Sequence, residues 1–125
     1  MTYYVSESDK VSTISNNFYQ KHKLIWEYLD HKKMQMETCT LTDILQSYLP
    51  KNPKIDLLSI DVEGSDYDVL RGLDLQIYQP RIILVEDHTF DLTSMDSNQI
   101  CKYLTNAGYM FKYYFVYNCI YVRNS

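Results

Sequence analysis

Two short apolar runs, each closed by acidic residues, constrain this chain more than any other feature. Ile55-Asp-Leu-Leu-Ser-Ile60 ends in Asp61-Val-Glu-Gly64, and Arg81-Ile-Ile-Leu-Val85 ends in Glu86-Asp87-His88. Each run is too short for a helix and too continuously apolar for a strand with one wet face, so each is expected to be a strand buried on both faces. Between them, Ser65 with Asp68 three residues later is placed to cap a short helix carrying Tyr67, Val69, Leu70 and Leu73, with Gly72 near its end. Gly64 is placed as the left-handed residue of a tight strand-to-helix turn. Strand, helix, strand at this spacing is a βαβ unit, with parallel neighbouring strands and a right-handed crossover. The expected fold class is α/β.

The flanking segments extend this unit. Met34 to Thr38 reads as a short strand. Thr40-Leu-Thr-Asp43 reads as a capping box, after which Leu41, Ile44, Leu45, Tyr48 and Leu49 repeat with helical period until Pro50 stops them. A third helix is expected from Ser97, with Ile100, Tyr103, Leu104 and Ala107 on one face and Gly108 just past its end. Met110–Val116 and Cys119–Val122, separated by Tyr117-Asn118, read as a closing antiparallel hairpin. The first 33 residues are less defined, offering a strand at Tyr3-Tyr4-Val5 and a helix from Asn17 to Leu29, with Trp26 in the core and His22 and His31 solvated among lysines. The expectation is one domain, 1–125, whose α/β part is 34–125.

Composition narrows the function. With 12 Lys plus Arg against 16 Asp plus Glu and a pI near 5.2, the chain has no visible basic patch for nucleic acid or an anionic membrane. Its three glycines, Gly64, Gly72 and Gly108, build neither a GxGxxG turn nor a phosphate-cradling loop, so a nucleotide-type cofactor would need other groups to hold it. Cys39, Cys101 and Cys119 have no CxxC spacing, which disfavours a zinc knuckle and a disulfide framework and suits a reduced, cytoplasmic setting. No apolar run approaches the ~20 residues of a membrane helix.

In an open α/β sheet, ligands bind beyond the carboxyl ends of the strands. Asp61 closes one strand and Glu86-Asp87-His88 the next, and parallel neighbours lie ~4.8 Å apart, so these side chains should meet in one crevice. If the backbone stays extended, Glu63 points the same way as Asp61. Carboxylates gathered in this way repel, and either a divalent cation or raised pKa values would resolve the repulsion. The candidate catalytic residues are Asp61, Glu63 and His88, with His88 as proton acceptor for a hydroxyl substrate. The candidate metal ligands are Asp61, Glu86 and Asp87. For Glu63 and Asp87 a plainer reading stands beside this one, since acids often end strands simply because polar residues begin loops.

The stretch Leu57-Leu-Ser-Ile-Asp-Val-Glu-Gly-Ser-Asp-Tyr-Asp-Val-Leu-Arg-Gly-Leu73 resembles the FkbM-type family of S-adenosylmethionine-dependent methyltransferases, with its I-D-x-E-G block followed by E/D-x-x-V-L-x-G. Thr40-Leu-Thr-Asp-Ile-Leu45 is similar to the family's T-L-D-x-L segment, Pro80-Arg-Ile-Ile-Leu-Val-Glu86 to its P-x-I-x-x-V-E strand and Ile120-Tyr-Val-Arg123 to its closing strand. Ser12-Thr13-Ile14 resembles its S-T/S-L stretch more faintly. The resemblance implies a doubly wound, mostly parallel Rossmann-like methyltransferase sheet, incomplete here, in which this chain supplies the third to seventh strands. It also implies methyl transfer from S-adenosylmethionine to a hydroxyl of a small molecule or sugar. The family's glycine-rich cofactor turn has no counterpart here, so weak or no cofactor binding by the isolated chain is expected, with an inactive isolated chain as one reading. Related enzymes on this fold hold a divalent ion with acids after the fourth and fifth strands, the places of Asp61, Glu86 and Asp87. Without the first two strands, Leu57–Asp61 would be an open edge able to pair with a partner or a second copy. Two other classes stay open: a non-catalytic remnant or interaction module, and a metal-dependent phosphoesterase built on Asp61, Glu63 and Glu86.

Overall fold

The computed structural model describes residues 2–6, 20–21 and 31–124. Its centre is a four-stranded sheet made of β3 (Leu57–Ile60), β4 (Ile82–Glu86), β5 (Tyr109–Phe115) and β6 (Asn118–Arg123), in the order β3-β4-β6-β5. β1 (Thr2–Ser6) and β2 (His31–Gln35) form a separate antiparallel ribbon, with Thr2 opposite Gln35. The strand expected at Met34–Thr38 thus lies a few residues earlier. Gln20 and Lys21 are helical; the rest of the expected Asn17–Leu29 helix, with His22 and Trp26, lies outside the described residues.

The βαβ unit forms as expected. β3 and β4 are parallel, with Leu57 aligned to Ile82 and Ile60 to Val85. The sheet as a whole is nevertheless mostly antiparallel, because the β5–β6 hairpin lays its second strand against β4, pairing Ile82 with Val122 and Val85 with Cys119. β3 is also not buried on both faces. Among the described residues it pairs with β4 alone, and as an edge strand it leaves Leu57 56 % exposed while Ile60 is buried.

One face of the sheet carries the core. Ile60, Ile83, Val85, Cys119, Tyr121 and Tyr109 point to it, and Leu70 of α2 (Asp66–Arg71) with Ile100, Cys101 and Leu104 of α3 (Gln99–Asn106) pack on them. Burial pushes the Cys119 thiol up to about 12, so it is an inert packing group rather than a nucleophile. The alternation that sends these residues inward sends Ile82, Leu84, Ile120 and Val122 to the other face, where they are only partly covered.

α1 (Leu41–Tyr48) starts with the expected capping box: Asp43 N donates to Thr40 Oγ1 at 3.1 Å and Thr40 N donates to Asp43 Oδ2 at 3.2 Å. It is tied to the end of α2, where Thr42 Oγ1 donates to Gly72 O at 2.8 Å and accepts from Asp74 N at 2.8 Å. Gly72 has a right-handed backbone, and a Cβ there would make only ordinary contact, 3.5 Å from the Leu41 nitrogen, so neither backbone nor space demands glycine at this position. α3 begins after a 3-10 turn, Met95–Ser97, and its cap is Asn98, whose side chain accepts from Cys101 N at 2.8 Å. Gly108 follows it at φ 88°, the left-handed position expected there.

Candidate active site

The parallel register sets the site. Because Ile60 stands beside Val85, the next residues, Asp61 and Glu86, leave the sheet side by side at the carboxyl ends of β3 and β4. Asp61 is exposed, whereas the Glu86 side chain is only 16 % exposed. Glu86 Oε1 lies 3.2 Å from His88 Nε2, and its buried Oε2 has no hydrogen-bond partner. Burial holds the Glu86 carboxyl above the usual carboxylate range; the negative charges of Asp61, Glu63 and Asp66 push it the same way, and His88 opposes them. Glu86 and His88 are in contact, and the charges of Asp61 and Glu63 are felt at the Glu86 carboxyl.

The loop that delivers the acids is not extended. Glu63 at φ 51° and Gly64 at φ 92° turn the chain back, so Glu63 joins the cluster by a reversal and not by continuing the strand. The reversal is held by Asp66, which sequence reasoning missed. Its two carboxylate oxygens accept from Val62 N and Gly64 N, each at 3.2 Å. Burial outweighs these bonds and raises the Asp66 carboxyl. Ser65, the expected cap of α2, makes no side-chain cap bond. An Asp at the first helical position, two residues after a glycine, is the signal that could have been read, since Asp side chains fold back onto neighbouring backbone N–H groups.

Asp87 behaves differently. It is buried; its Oδ1 accepts from Thr89 N at 2.8 Å and Thr89 Oγ1 at 2.6 Å, while its Oδ2 accepts from Asn98 Nδ2 at 2.7 Å. Its own N–H donates to Tyr117 O at 2.7 Å. These bonds lock the end of β4 to the cap of α3 and to the hairpin turn. Asp87 is committed to this frame, and among the described residues no group of three or more His, Cys, Asp or Glu side chains is placed to hold a metal ion. Asp87→Ala should cost about 2 kcal/mol in urea unfolding, because it takes the short-range acceptor from the buried Asn98 Nδ2 and leaves a gap at a buried position. A loss below ~0.5 kcal/mol, the scale of an ordinary surface change, would contradict this structural role.

The hairpin turn supplies the remaining wall. Val116 at φ 42° and Tyr117 at φ 65° form a two-residue connection of a kind usually built from Asn and Gly. A left-handed β-branched residue is strained, and strain of this kind concentrates at functional sites. The Tyr117 ring centroid lies 4.4 Å from that of His88, with the planes 31° apart. Beside the first turn of α2, a cavity of ≈ 440 Å³ opens among Thr38, Thr40, Leu41, Ile44, Ser65 and Val69.

A family model described as the methyltransferase FkbM domain matches residues 2–111, and the chain belongs to that family. It is also similar to the methyltransferase sdnD of Sordaria araneosa, with 32% identity over 49% of this chain and 32% of that protein. The match thus spans about a third of the relative's length. No solved structure matches.

Proposed function

We propose that the protein is an S-adenosylmethionine-dependent O-methyltransferase acting on a hydroxyl of a small molecule or sugar, with Glu86 and His88 accepting the hydroxyl proton. The observation that carries this reading is the Glu86–His88 pair, 3.2 Å apart, at the carboxyl end of β4 beside its parallel neighbour β3, in a chain of this family. The cluster suits the cofactor electrostatically. Burial raises the Glu86 carboxyl and the charges of Asp61, Glu63 and Asp66 add to it, and a positively charged sulfur near them would relieve that added repulsion. When bound, S-adenosylmethionine supplies an electrophilic methyl group on that sulfur. The cavity beside α2 has the apolar side chains a flat ring system needs, from Leu41, Ile44 and Val69.

The rest is done by this chain's own residues. Glu86 Oε1, 3.2 Å from His88 Nε2, orients the imidazole, the logic of a base held by a third group. His88 would take the proton of the acceptor hydroxyl as the oxygen–methyl bond forms and the sulfur–methyl bond breaks, the sulfur leaving as a neutral thioether. Asp61 adds negative charge at Glu86. Tyr117 stacks on the imidazole and limits its rotation. In such a reaction, alignment and proton removal are the protein's main contributions.

The experiment is transfer of an isotopically labelled methyl group from S-adenosylmethionine to a panel of alcohols and saccharides, followed by mild alkali. An O-methyl ether keeps its label, whereas a methyl ester loses it. Alkali-stable label on oxygen supports the reading. Label found only on carboxylate or nitrogen, or no transfer to any hydroxyl, contradicts it.

A further inference from the structure

The far end of the sheet carries a second, unrelated cluster. A pocket of ≈ 300 Å³ lies at the amino ends of β3 and β4, lined by Asn52, Lys54, Asp56, Gln79, Arg81 and Arg123 among others. One five-residue strand separates it from Glu86, about 16 Å at ~3.3 Å per residue. We infer that this pocket binds a small molecule through a phosphate group.

The register makes the case. Ile82 and Val122 are partners in the antiparallel β4–β6 pair, so the residues just outside them, Arg81 and Arg123, stand directly opposite each other. Arg123 N donates to Arg81 O at 3.0 Å, which ties the two backbones together there. Directly opposed like charges share one face and destabilise a sheet. Lys54 brings a third positive charge, and Asp56 is the one carboxylate among the lining residues, which leaves the pocket at +2 on a chain of net charge −4. Among the described residues, none of these three cations forms an ion pair with a carboxylate.

The pocket is also built to hold an arginine fork in place. Arg123 Nη1 donates to Gln79 O at 3.1 Å and Gln79 Oε1 at 2.7 Å, which fixes the guanidinium plane while its other N–H groups remain as donors. Two planar guanidinium groups and an ammonium match the several acceptor oxygens of a phosphate and offset its charge. The volume is at the small end of ligand pockets, which suits a compact phosphorylated molecule. Oxyanion binding here opposes the net charge of the protein, so a generic electrostatic attraction would not produce it.

The test is a set of melting curves on the protein at constant ionic strength, in sodium chloride, inorganic phosphate or glucose 6-phosphate. At ten times its dissociation constant, the phosphate compound should raise the melting temperature by about 5 °C over chloride. The rise should vanish in Arg81→Gln/Arg123→Gln, shrink in Arg123→Lys and persist in Asp61→Asn. Broadening of the phosphate ³¹P resonance by the wild type, absent with Lys54→Gln/Arg81→Gln, gives a second readout should the first double variant fail to fold. A larger effect from the ester supports an organic phosphate, and equal effects support free phosphate at the same site. Equal melting temperatures in phosphate and chloride, or a rise that survives loss of both arginines, overturns the proposal. Neither readout depends on methyl transfer.

Discussion

Leu70→Asp is expected to abolish the folded state, whereas Asp61→Asn should leave it intact. Leu70 sits on α2 with 0 % exposure, among Ile60, Ile83, Val85 and Leu104. An aspartate there would place a charge in the layer between α2 and the sheet with no partner. Burying it, or neutralising it, costs several kcal/mol out of a total of ~5–15 for a domain of this kind. Asp61 is exposed at a strand end and adds repulsion to Glu86, so its neutralisation removes an unfavourable interaction. Circular dichroism and urea titration of both variants separate the cases. If Asp61→Asn were as destabilised as Leu70→Asp, Asp61 would be a structural acid and no part of a site.

His88→Ala should lower methyl transfer by ~10²–10⁴-fold while the domain stays folded, since that is the usual contribution of a positioned general base. The His88 side chain is 40 % exposed, so its removal opens no cavity in the core. Glu86→Gln should also slow transfer, because a neutral amide no longer stabilises the imidazolium. Its effect on stability should have the opposite sign. The Glu86 carboxyl is raised in the folded state, so the fold binds its proton more tightly than the unfolded chain does. Stability is therefore lost as pH rises from the ordinary carboxylate value through the raised one, and at neutral pH the ionised Glu86 is a net cost. Glu86→Gln removes that cost, and its melting temperature at neutral pH should equal or exceed that of the wild type. A stabilised but slow variant is the signature of a group retained for chemistry.

Local rules made the elements legible. Thr40 and Asp43 are the capping box they resembled, and Gly64 and Gly108 take the left-handed conformations that only glycine adopts freely. The βαβ register could be anticipated because two apolar strands joined by one helix have few ways to pack. What was hidden depended on distant partners. Nothing near Asp87 in the sequence announces that Asn98 will donate to it, and that bond turns a presumed ligand into part of the frame. Composition alone made β3 read as buried on both faces, whereas the open edge implied by the family resemblance is the position it takes, with half of Leu57 exposed. The Val116–Tyr117 turn broke the Asn-Gly rule for tight hairpins, so neither its strain nor the stacking of Tyr117 on His88 could be read from residue types. Glu63 was expected on an extended backbone, and its left-handed φ of 51° reverses the chain there instead.

The most direct test of the site is a ¹³C titration of the Glu86 carboxyl by NMR in the wild type, Asp61→Asn and His88→Ala. In the wild type, Glu86 should titrate above the ordinary carboxylate range. The midpoint should fall in Asp61→Asn, where a repelling charge is lost, and rise in His88→Ala, where an attracting one is lost. A Glu86 that titrates at the ordinary value and ignores both substitutions would mean that the strand ends do not form one electrostatic unit, and the proton-accepting site would be contradicted.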